Sequence, residues 1–163
     1  MIDRLSGMQK YFEGFALLLA AAWVGGMWAV GYVVAPVLFS SLADKALAGA
    51  LAAKLFSAMA YVGFFCAFYL LAYIKSRTGK QVLQQRVFWV VVFMLIITLL
   101  GHFGMQPLLA EYKALAMPQY VMESPYADRF RFWHGVSSIA FLLQSILGAV
   151  LLLKLSALRT RVQ

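Results

Sequence analysis

Four long apolar runs fill most of this chain, at residues 15–39, 55–74, 87–105 and 132–153. A bilayer core about 30 Å thick is crossed by about 20 helical residues rising 1.5 Å each. Each run is close to that length. A soluble domain with four helices apolar all round would need an outer layer to cover them. A chain of 163 residues has almost nothing left to build one. The expected fold class is an all-α membrane protein: one four-helix antiparallel transmembrane bundle occupying residues 1–163.

Composition supports this reading and removes others. Hydrophobic residues make up 64% of the chain and charged residues 12%, against about 25% charged in an ordinary soluble domain. The formal charge of +8 would suggest nucleic acid in a soluble protein. Here the charges sit in short loops beside apolar spans, so the expected partner is the lipid bilayer, with no nucleic acid. A homo-oligomer or a second membrane protein is a further candidate partner. The single cysteine, Cys66, lies inside the second run and has no CxxC partner; it reads as a small buried hydrophobe. Ala20-Ala21-Ala22 resembles a signal-peptidase site, but the apolar stretch continues well beyond it, so an uncleaved first helix is expected.

Lysine and arginine set an orientation. Arg4 and Lys10, the loop with Lys75, Arg77, Lys80 and Arg86, and the tail with Lys154, Arg159 and Arg161 share one side and hold nine basic residues. The other side holds five: Lys45, Lys54, Lys113, Arg129 and Arg131. The excess places both termini in the cytoplasm of a bacterial inner membrane. Ile2, Leu5, Met8 and Phe12 recur at helical spacing and suggest an interfacial helix before the first span. Pro36 is expected to stop or bend the first helix. The connection from 106 to 131 is the longest, with Pro107, Pro118 and Pro125, and residues 108–117 read as a short separate helix.

Candidate positions for packing and chemistry follow from spacing. Ala21, Gly25 and Ala29 form a small-residue stripe suited to close helix packing, within the chain or between protomers. Trp23 and Trp28 lie deep and are expected to fill the bundle. A polar stripe runs along the fourth helix through His134, Ser137 and Gln144, and Thr98 with His102 marks a similar face of the third. Polar groups in hydrocarbon need partners, so both faces should point inward. His102 and His134 lie at similar depths in the outer half, where Met27, Met59 and Met105 also fall. Such a set suits Cu(I), and paired histidines can hold haem iron. The plain alternative is a hydrogen-bonded pair of structural histidines among core methionines. No metal motif, P-loop, nucleophile elbow or paired intramembrane carboxylate is present, so no enzyme signature emerges.

The order of features also resembles a known family. The first span reads AAWVGGMWAVGYVVAPVLF, the third ends GHFGMQPLL, and the fourth opens FRFWHGVSSIAFLLQ. These segments resemble the transmembrane-protein-205-like family of four-helix membrane proteins, which carries no assigned activity. That family is distantly similar to copper-resistance membrane proteins and to a haem-dependent membrane oxidase. The resemblance implies that His102, Pro107, His134 and Ser137 match its polar positions, and it raises copper or haem as cofactors. Three functions are therefore expected in competition. The first is a small binding or transport-associated protein with its ligand site at the outer mouth. The second is a haem- or copper-dependent redox protein, and the third a structural partner without ligand.

Overall fold

The computed structural model describes the backbone of residues 2–160 and the side chains of residues 11–157. All regular elements among them are helical. The first is α1 (Ile2–Trp28), which passes through a π-helical turn (Ala29–Val34) into α2 (Ala35–Ser41). Next comes α3 (Lys45–Thr78), followed by a 3₁₀ turn (Gly79–Gln84). Then α4 (Arg86–Leu99) passes through a second π-helical turn (Leu100–Met105) into α5 (Gln106–Ala116), and α6 (Ala127–Thr160) closes the chain after a short 3₁₀ turn (Val121–Glu123). Four helices are long and apolar enough to cross a membrane: Tyr11–Ser41, Lys45–Gln84, Arg86–Ala116 and Ala127–Ala157. The side chains of the amino-terminal amphipathic segment up to residue 10 lie outside the described residues, as do those of the tail beyond residue 157.

The spans are longer than the apolar runs that announce them, and the reasons are local. Neither Pro36 nor Pro107 ends its helix. A proline lacks the N–H of an ordinary helical turn and its ring crowds the carbonyl four residues back. In both spans the preceding residue bonds five residues back instead, Ala35 N–H to Val30 O and Gln106 N–H to Gly101 O. Each proline then falls in the first turn of the next segment, where a missing donor costs nothing. The separate helix expected at 108–117 is therefore the continuation of the third span. A 31-residue span is about 46 Å long, enough to reach through the headgroup region as well as the core. The second span also starts earlier than its apolar run. Asp44 caps it, its carboxylate accepting from the N–H groups of Ala46 and Leu47, and Ala48 and Ala52 are buried. Its α-helical part ends at Thr78, before Gly79, whose φ of 54° suits glycine.

The spans pack in a ring: first on second, second on third, third on fourth, and fourth back on first. One continuous apolar core runs through Ala16, Ala20, Trp23 and Val24, then Cys66, Ala67, Leu70 and Ile74, then Val87, Val91 and Met94, then Leu151 and Leu155. All of these lie in the half of the bundle next to the basic 75–86 loop, here called the basic half. Close approach is made by glycines outside the expected stripe. A Cβ at Gly63 would sit 2.7 Å from Trp23 Nε1, and one at Gly148 would sit 3.0 Å from both methyl groups of Val24. Gly31 admits the Phe141 ring with no room for a Cβ. By contrast Ala21, Gly25 and Ala29 are all exposed, and a Cβ at Gly25 would meet nothing within 4 Å. Within this chain that stripe faces outward. Trp23 fills the bundle as expected, but Trp28 is 36% exposed.

Candidate functional site

The side chain–side chain hydrogen bonds between the spans lie in the other half, towards the loops at 42–44 and 117–126. At its base Gln144, 4% exposed, donates from Nε2 to Thr98 Oγ1 at 3.0 Å and to Met94 O at 3.2 Å. Thr98 donates in turn to Met94 O. Gln144 Oε1 is buried without a partner. A polar contact between the third and fourth helices thus rests on Thr98 and Gln144. Ser137 is half-buried and enters none of these bonds. A second node joins the fourth span to the first: Tyr32 donates to Ser145 Oγ at 3.0 Å, and Ser145 donates to Phe141 O. A third joins the second span to the third at the start of α5, where Ser57 donates to Gln106 Oε1 at 2.6 Å. Two of these three nodes stand at a π-helical turn or beside one.

The two histidines occupy separate surroundings. His102, inside the second π-helical turn, is packed edge-on against Tyr61, Phe64 and Phe103, with centroid distances of 5.0, 5.9 and 4.7 Å. Its Nδ1 is buried without a partner. His134 is stacked flat on Phe130, one turn away, at 5.7 Å and 7°. No ring contact or hydrogen bond joins the two imidazoles. Among the methionines, Met27 is buried and Met59 lies against Gly26, while Met105 is half-buried at the end of the π-helical turn. No group of three His, Cys, Asp or Glu side chains among the described residues is placed to hold a metal ion.

At the mouth of this half stands a cluster that spacing did not single out. Lys113, on α5, reaches back to the second span and donates to Gly49 O at 3.3 Å. Its ammonium lies 5.8 Å from the centroid of the Phe130 ring, and that ring carries the stacked His134. Phe39 and Gly49 close the other side. The ion pairs among the described residues are Arg77–Glu13 and Arg131–Asp128, so Lys113 has no carboxylate partner. Its only sequence signal is a cation in the short apolar stretch after Pro107, and that is also what a plain interfacial lysine looks like.

The family described as a domain of unknown function, DUF4149, matches residues 18–118. That is more than half of the chain, and the chain belongs to this family. The match covers the first span from residue 18 and the second and third spans, α5 included, and it ends before the fourth span with His134 and Gln144. No curated protein matches, and no solved structure matches.

Proposed function

We propose that this member of the DUF4149 family is a binding or transport-associated protein of the bacterial inner membrane. In this reading the bundle is antiparallel, both termini are cytoplasmic, and the ligand site is the outer mouth under α5. The nine-to-five division of basic residues supports the orientation. The likeness of GHFGMQPLL and FRFWHGVSSIAFLLQ to the transmembrane-protein-205-like family belongs to the same proposal and assigns no chemistry.

The observation that carries the reading is Lys113. A half-buried ammonium without a counter-charge is costly, because removal from water is repaid only by a close opposite charge or full hydrogen bonding. One 3.3 Å bond to a carbonyl and an aromatic face leave donors unused. With His134 beside the same ring and no carboxylate paired to the lysine, the mouth suits a small anion and suits a metal cation poorly.

The test uses purified full-length protein unfolded thermally in detergent, with inorganic phosphate and malonate as probes. A ligand at 100 times its Kd stabilises the folded state by about 2.7 kcal/mol. At least one probe should raise the melting temperature, and Lys113→Gln should abolish the rise. No rise with either probe, or a rise that survives Lys113→Gln, refutes the anion site. Reporter fusions after Gln163 and within the 75–86 loop should both read cytoplasm; a periplasmic signal from either overturns the orientation.

A further inference from the structure

At the basic end, away from the mouth, the first and second spans leave an open groove of about 420 Å³, lined by Phe12, Tyr69, Ala72, Tyr73, Ser76 and Arg77. Tyr69, Tyr73 and Arg77 stand four residues apart on α3, so they lie along one side of the helix. They descend from the loop into the span in steps of about 6 Å. Arg77 sits highest, held by Glu13 at 2.8 Å through one amino group, with its side chain 36% exposed. Tyr69 sits lowest. Its ring is fixed edge-on by Phe15 at 5.1 Å, and its hydroxyl is buried with no partner.

We infer that this groove is a binding site for one anionic phospholipid of the leaflet at the basic end. Arg77 meets the phosphate, with Phe12 beside its partner Glu13 at the same level, and the hydroxyl of Tyr69 donates to an ester oxygen below it. Four features select this occupant. The groove changes from cationic to aromatic over two helical turns, as a phospholipid changes from phosphate to ester to chain. A guanidinium has five N–H donors in a planar fork and recognises phosphate with those that Glu13 leaves over. The surrounding loop adds Lys75, Lys80 and Arg86, a field that concentrates anionic lipid at this surface. A buried hydroxyl without a partner is uncommon, and a lipid ester supplies the acceptor it lacks.

Native mass spectrometry of the delipidated full-length protein tests this directly. Short-chain phosphatidylglycerol and phosphatidylcholine of equal chain length are the lipid probes, and inorganic phosphate is the free-anion probe. One phosphatidylglycerol should bind at least about tenfold more tightly than phosphatidylcholine, a factor equal to about 1.4 kcal/mol. Arg77→Gln should remove that preference, and Tyr69→Phe should weaken phosphatidylglycerol severalfold. Glu13→Gln breaks the same ion pair but keeps the cation, so it should retain the preference even if it melts as early as Arg77→Gln. Equal binding of the two lipids overturns the site. So does a preference that persists in Arg77→Gln or vanishes in Glu13→Gln. Phosphate that competes as well as the lipid shows a free-anion site, and a dimer that forms in place of a lipid adduct shows a second copy in the groove. Either result also overturns the proposal. Lys113 plays no part here, so failure of the mouth site leaves this result readable.

Discussion

The two halves of the bundle are built from the same four helices and solve opposite problems. In the basic half, Trp23, Cys66, Leu70, Val91, Met94 and Leu151 are all at most 2% exposed, and the core among them is apolar. In the far half the helices bend their own rules. Two π-helical turns precede two prolines, the side chain–side chain hydrogen bonds Tyr32–Ser145, Ser57–Gln106 and Gln144–Thr98 all fall there, and two polar atoms, His102 Nδ1 and Gln144 Oε1, have no partner. π-helical turns inside long helices are frequent at functional sites. A buried apolar core joins the spans at one end, and side chain–side chain hydrogen bonds join them at the other.

This contrast predicts unequal responses to substitution. The largest effect belongs to the basic half's boundary at Gly63. A methyl group there runs into the buried Trp23 indole, whose shift disturbs the densest part of the core. Gly63→Ala should cost about 1–3 kcal/mol by overpacking, read as a lower melting temperature in detergent. Gly25→Leu should leave the melting temperature unchanged, because that position faces outward. If the two results are reversed, the stripe at Ala21, Gly25 and Ala29 is the packing face after all, and the buried face has been assigned to the wrong side of the first helix.

Polar contacts in the far half should be weaker. Gln144→Leu loses two donated hydrogen bonds but also removes an unsatisfied buried oxygen. Interhelical hydrogen bonds in membranes average about 0.6 kcal/mol, so the net loss should stay below about 1.5 kcal/mol. A collapse of the fold in Gln144→Leu would show that the far half depends on this node as the basic half depends on Trp23. Smaller still is Ser57→Ala, expected to cost about 0.5–1 kcal/mol. Its melting curve should be almost superimposable on that of the wild type.

Much of this division could not be read from the chain. The four spans were legible because 20 apolar residues without a charge have few other uses. The inward direction of the faces that carry Gln144 and Thr98 was expected because a polar group in hydrocarbon must find another, but spacing did not pair these two residues. The burial of Trp23 followed from its depth; Trp28 has similar depth but lies on the outward face. That face was illegible because the first helix is apolar all round, so periodicity carries no signal about which side packs. Small residues occur on both sides, and spacing chose Gly25 where the close packing uses Gly26, Gly31, Gly63 and Gly148. The prolines misled for a different reason. Pro36 and Pro107 are correct signals of a disturbed helix, but a π-helical turn absorbs the disturbance without ending the span. Lys113 escaped notice because its significance lies in what surrounds it, Gly49 from one span and Phe130 from another.

The central claim is that the buried apolar core of the basic half excludes small polar solutes and that the proposed mouth of the far half admits them. Thiol reactivity in intact membranes tests it most directly, because labelling requires access for the reagent. The native Cys66, 1% exposed, is compared with a single cysteine at Ser57 in a Cys66→Ala background, using a water-soluble, membrane-impermeant maleimide. Ser57→Cys should react at least about tenfold faster than Cys66, and the mouth ligand or the anion probes should slow it. Equal labelling of the two positions, or a Cys66 that reacts first, would contradict the account.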